Sequence, residues 1–170
     1  MANTDGYRYA FPIFKFALRE DLKNDEMFLP TQVDSLATGY DVRAAPVDRQ
    51  DIIINAGEYF KIPLGFRSFC PSGWWYQLHP RSSSFTKKHI HNLIGTVDES
   101  WEGETLFAGQ FLPDINGATS LTIKFGEAIG QLIPCERQVM IVKNISNADY
   151  DDLCNKRNGT RKTGGFGSSG

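Results

Sequence analysis

Short runs of β-forming residues, cut apart by turn residues, constrain this chain more than any other feature. The runs are Ile52–Ile54, Tyr59–Phe66, Trp74–His79, His89–Val97, Glu104–Phe111, Ser120–Phe125, Ile129–Ile133 and Gln138–Lys143. Between them stand Ala56-Gly57, Pro71-Ser72-Gly73, Glu102-Gly103, Asn116-Gly117 and Gly126-Glu127. Strands this short, at intervals of roughly 8–12 residues, bury their apolar faces only by stacking in layers or closing on themselves. The pattern therefore predicts an all-β sandwich or barrel with little helix. Residues 1–32 read as an N-terminal extension and first strand region, with one short helix over Phe16–Lys23. Residues 33–154 read as the β-domain, and 155–170 as a flexible, glycine-rich arm.

Composition narrows the class of function. With 170 residues, 41% hydrophobic and 22% charged, the chain fits one soluble domain with an appendage. No apolar run approaches the roughly 20 residues of a membrane span, and Met1–Asp5 lack the basic start of a signal peptide. Cys70, Cys135 and Cys154 are odd in number and widely spaced, which reads as reduced thiols. The expected location is the cytoplasm, or a host's cytoplasm for a viral chain. The net charge of −2 argues against a general nucleic-acid or anionic-membrane binder. Residues 155–170 carry four cations and no acid, so removing their +4 from the total leaves −6 on the body. That asymmetry points to a polyanionic ligand or to a tail that docks on the body.

Four segments can carry chemistry. Arg81-Ser82-Ser83-Ser84 follows a strand, and its guanidinium, hydroxyls and N–H groups can cradle phosphates. The same residues also make an ordinary polar turn with a serine cap. Asp98 ends the run Leu93–Val97, where a carboxylate can act as general base toward water; it equally suits an acidic hairpin turn. His79, His89 and His91 invite a metal reading, but no Cys or carboxylate stands at a zinc-site spacing beside them. The tail sets Phe166 among glycines behind Arg161, an arrangement for stacking and charge clamping on a ligand as well as for plain disorder. No GxxxxGK[ST], GxGxxG or GxSxG motif is present, so a nucleotide bound here would sit on a β-scaffold.

In order, these segments resemble the five motifs of the trimeric dUTPase family. They are Thr38-Gly39-Tyr40-Asp41-Val42-Arg43-Ala44, Pro80-Arg81-Ser82-Ser83, Gly95-Thr96-Val97-Asp98-Glu99-Ser100-Trp101-Glu102-Gly103-Glu104, Gly126-Glu127-Ala128-Ile129-Gly130-Gln131-Leu132-Ile133 and Arg161–Gly170. The resemblance implies a jelly-roll-like β-barrel, a homotrimer with sites shared between subunits, and hydrolysis of dUTP to dUMP and pyrophosphate with Mg2+. It implies that Asp98 activates the water that attacks the α-phosphorus. Arg81, Ser82, Ser83 and Gln131 would hold the phosphates. Asn92 and the backbone of Gly95, Thr96, Val97 and Asp98 would read the uracil, with Trp101 under the deoxyribose and Leu106 also binding substrate. Arg161 would meet the γ-phosphate while Phe166 covers the uracil, with Gly167 and Ser168 also binding substrate. Mg2+ would be held mainly by the substrate phosphates, with Asp41 acting through water.

This chain departs from the family pattern at Trp101 (usually tyrosine), at Ala128 (usually arginine) and at Lys162 and Thr163 in the tail. Other readings stay open on the same scaffold. One is a triphosphatase for a differently substituted pyrimidine, with His91 and Trp101 as the altered positions. A second is a dCTP deaminase, although that family's glutamate position is Ala108 here. A third is a regulatory protein switched by nucleotide.

Overall fold

A computed structural model of the chain describes residues 11–112 and 117–157. It contains ten strands: β1 (Lys15–Leu18), β2 (Tyr40–Arg43), β3 (Ile52–Asn55), β4 (Tyr59–Phe69), β5 (Trp74–Pro80), β6 (Ile90–Asn92), β7 (Gly95–Val97), β8 (Glu104–Phe111), β9 (Ser120–Ile123) and β10 (Ala128–Glu136). Helices are short, α1 (Ser82–Thr86) after β5 and α2 (Asn147–Asn155) near the C-terminus. One four-stranded sheet has the order β1-β4-β8-β6, the other β2-β10-β5-β7, and β3 pairs with β9. Every pairing is antiparallel. The fold is all-β and jelly-roll-like, and its two main sheets are open layers rather than a closed ring of strands. No helix among the described residues is long and apolar enough to cross a membrane.

Alternation builds the core between these layers. Along β8, Thr105, Phe107, Gly109 and Phe111 are buried while Glu104, Leu106, Ala108 and Gln110 face outward. Phe107 and Phe111 meet Ile62, Leu64 and Phe66 of β4, Tyr76 and Leu78 of β5, and Ile129 and Leu132 of β10. The ladder between β4 and β8 shifts register between Pro63 and Arg67, where Gly65 takes φ +76°. A Cβ at Gly65 would lie 2.5 Å from Leu22 Cδ1, so only glycine fits this bend.

Three expectations for individual segments are corrected. Phe16–Lys23 is not a helix: β1 pairs with β4 so that Phe16 and Leu18 pack on the core, and only Glu20–Leu22 turn as a 3-10 helix. Arg19 holds that transition, donating to Ala45 O and Glu104 Oε1, both at 2.9 Å. The run His89–Val97 divides at Leu93-Ile94, and its halves join different sheets: β6 pairs with β8, whereas β7 pairs with β5. Gln138–Lys143 has the composition of a strand but pairs with nothing among the described residues, and Val139–Val142 stay exposed. That segment lies beyond the first compact unit, which ends at Arg137, and a second unit begins at Gln138. Within the second unit, the Ser146 side chain caps α2 by accepting the Asp149 N–H at 3.1 Å.

Candidate active site

The outward face of the sheet β2-β10-β5-β7 gathers polar side chains into one cluster. Pro80 ends β5, Arg81 stays extended, and the chain then turns into α1. The buried Ser84 hydroxyl donates to Ile129 O at 3.0 Å, pinning α1 to β10. Arg81 lies across the same strand, donating to Ala128 O at 3.3 Å, with its Nε 3.3 Å from Asp41 Oδ1 on β2. Gln131 of β10 donates to that carboxylate oxygen at 3.1 Å. A Cβ at Gly39 would come within 3.0 Å of the Gln131 amide, so the bare backbone there makes room for it. Asp41, with its side chain only 10% exposed, thus orients one guanidinium and one amide toward a common patch. Ser82 is exposed and Ser83 half-buried beside them. Cations and neutral donors held by a recessed carboxylate suit a phosphate chain, whose charge is spread over many oxygens.

Sequence reasoning overlooked His79 as a neighbour of this cluster. Register places Gln131 opposite both Asp41 and His79, so the three form a row across β2, β10 and β5. His79 bonds to Gln77 Oε1 through Nε2 at 2.7 Å. Strand alternation was the available signal, because His79 stands two residues before Arg81 on the same face.

A second group lies where β6 and β7 part. The Asn92 side-chain nitrogen and oxygen are both buried without a hydrogen-bond partner among the described residues. Leaving a buried amide unpaired costs about 1–3 kcal/mol, which marks it as a group that a ligand can satisfy. Asn92 lines a cavity of about 760 Å3 together with Phe60, Lys61, Leu93 and Ala108. Leu106 is exposed on β8, opposite Pro63. After β7, the Trp101 N–H donates to Asp98 O at 3.0 Å and closes a turn that leaves Asp98 exposed. The half-exposed Trp101 indole lies over Gly103, where a Cβ would come within 2.5 Å of the ring.

Asp98 and Arg81 do not meet within one chain. Gly95 pairs with Leu78 and Val97 with Tyr76, so Asp98 continues toward Trp75 while Arg81 lies beyond the opposite end of β5. Six residue steps at about 3.3 Å each separate them by roughly 20 Å. Arg161, Phe166, Gly167 and Ser168 lie outside the described residues. As for a metal, no three His, Cys, Asp or Glu side chains come together among the described residues. Asp41 is a single carboxylate beside a cation, a donor set that fits Mg2+ only where phosphate oxygens and water complete the shell.

An open all-β jelly roll bearing a phosphate-type cradle and a separate acidic turn is the class defined by this geometry. No family model matches the chain. It is 32% identical over 145 residues to the deoxyuridine 5'-triphosphate nucleotidohydrolase of Maricaulis maris, covering 84% of this chain and 87% of that one. Among solved structures, the dUTPase of Staphylococcus bacteriophage 80alpha with dUpNHpp superposes with a TM-score of 0.73 at 19% identity, over 93% of this chain and 98% of the other. A mutant dUTPase from phage phi11 of Staphylococcus aureus, which coordinates a structural Mg(II) ion, gives 0.65 at 17% identity over 79% and 97%. The chain belongs to the deoxyuridine 5'-triphosphate nucleotidohydrolase family, the dUTPases.

Proposed function

We propose that this protein hydrolyses dUTP to dUMP and pyrophosphate. The observation that carries the reading is the cluster of Arg81 and Gln131 on the Asp41 carboxylate, a donor patch oriented before any ligand arrives. Arg81, Ser82, Ser83 and Gln131 hold the triphosphate. The unpaired Asn92 amide and the backbone of Gly95–Asp98 read the uracil edge, and Leu106 also binds substrate. Trp101 lies against the deoxyribose. Asp98 takes a proton from water, whose oxygen bonds to the α-phosphorus as the bond to the bridging oxygen breaks and pyrophosphate departs. Arg161, Phe166, Gly167 and Ser168 complete the site as a lid. The substrate phosphates, with Asp41 acting through water, would hold Mg2+, which would supply charge neutralisation for the leaving group.

The roughly 20 Å between Asp98 and Arg81 supports a site built from more than one copy, and a homotrimer is the assembly proposed. The cytoplasm, or a host's cytoplasm for a viral chain, is the proposed location. The test is pyrophosphate release across a panel of deoxynucleoside triphosphates. dUTP is expected to be strongly preferred. Ammonia release from dCTP, or a preference for another triphosphate, would contradict the reading.

A further inference from the structure

We propose that Glu99 is a positioning residue for the turn that carries Asp98 and Trp101. This rests on the proposed role of Asp98 as general base. Among the described residues, the Asp98 side chain has no hydrogen-bond or ion-pair partner of its own, and the backbone bond from Trp101 closes its turn. The orientation of that carboxylate must therefore come from what holds the turn. Its neighbour Glu99 supplies the hold, because Oε2 accepts the Gly73 N–H at 3.0 Å and lies 3.4 Å from Arg137 Nη1.

Those contacts close a circuit. The Arg137 N–H donates to Gly73 O at 2.7 Å, so both backbone groups of Gly73 are used. Gly73 itself takes φ +80°, the left-handed conformation that suits glycine at the tip of the β4–β5 turn. One carboxylate thus ties the Asp98 turn to the β4–β5 turn and to the residue that follows β10. The Glu99 side chain is 31% exposed, and its charge reaches inward: the buried Cys70 thiol is pushed up first by burial and then by Glu99. A charge-assisted bond to a fixed N–H is more directional than the exposed ion pair to Arg137. The Gly73 contact is therefore the part of the circuit that sets the height of Asp98.

Positioning of this kind acts on the chemical step. A general base displaced by about 1 Å loses rate on the order of 10²-fold even where substrate still binds. The experiment uses the full chain and measures kcat and KM for dUTP in wild type, Glu99→Ala, Glu99→Gln and Glu99→Asp. Glu99→Ala is expected to lower kcat roughly 10- to 100-fold while KM stays within about twofold. Glu99→Gln keeps an acceptor for the Gly73 N–H, and its kcat is expected within about threefold of wild type. Glu99→Asp draws the carboxylate back by one methylene and is expected to lose kcat as the alanine variant does. If Glu99→Ala does not fold, the comparison of Glu99→Asp with Glu99→Gln decides.

A wild-type kcat in Glu99→Asp, or an equal loss in Glu99→Gln and Glu99→Asp, overturns the proposal. A change in KM alone does the same. Wild-type protein that releases no pyrophosphate from dUTP contradicts the proposed function instead, so the two failures are separable.

Discussion

At the scale of single residues, the account turns on two side chains at the end of β7. Asp98 is exposed just past the end of β7, and asparagine there fills the same space without accepting a proton. Asp98→Asn is therefore expected to bind dUTP as wild type does while losing about 10²- to 10⁴-fold in kcat. Isothermal titration with a non-hydrolysable analogue and steady-state kinetics separate the two quantities. Turnover within roughly threefold of wild type would remove Asp98 from the role of base. In the proposed site Trp101 would present aromatic carbon to the sugar, and a 2′-hydroxyl set against it would find no partner. The specificity constant for UTP is expected to fall below that for dUTP by about 100-fold, and equal constants would show that the indole leaves the ribose unread.

At the scale of elements, the hydroxyl chain in the core links strands that lie in different sheets. The buried Tyr76 hydroxyl on β5 lies 2.8 Å from both Ser68 Oγ on β4 and Thr105 Oγ1 on β8. Burial pushes the Tyr76 phenol above its ordinary range, and the two hydrogen bonds oppose that shift. The protonated form is the one that the fold holds. The stability linked to this group is thus fully present below the unfolded value near about 10 and is lost as pH rises through the higher folded value. Tyr76→Phe is expected to cost about 1–2 kcal/mol near neutral pH, because Ser68 and Thr105 lose a partner, and to flatten the alkaline decline in chemical denaturation. An unchanged alkaline slope would show that another group governs it.

The same scale shows what was legible in advance. Strict alternation made β8 readable to the residue, and β3, β4, β5, β9 and β10 were found with shifted ends. A first strand region was expected within residues 1–32 but not placed, because Phe16–Leu18 read as a helix start and only pairing with β4 makes Lys15–Leu18 a strand. β2 was missed because four residues carry too little pattern, although Asp41 within it was singled out. The break at Leu93-Ile94 is a tertiary fact, since two diverging sheets each claim half of one run. Arg81, Gln131 and Asp41 came from motif order, and the structure brings them together. His79 was weighed only as a metal ligand and Glu99 not at all, because their places rest on cross-strand register and on a turn 26 residues away.

At the scale of the whole molecule, the central claim is that one active site takes its phosphate cradle and its catalytic aspartate from different copies of the chain. The roughly 20 Å between the two ends of β5 demands it if both act on one triphosphate. Symmetry makes every interface of a closed ring equivalent, so two chains damaged in different halves of the site complement each other. Arg81→Ala and Asp98→Asn chains are each expected to be nearly inactive alone. Co-refolded in equal amounts, with mixed assemblies verified by native mass spectrometry, they unite an intact cradle with an intact aspartate in about a quarter of sites. Pyrophosphate release from dUTP is then expected to recover to about a quarter of the wild-type rate. Verified mixed assemblies that stay as inactive as their parents would mean that Asp98 and Arg81 serve the same site from one chain, and the account would be wrong.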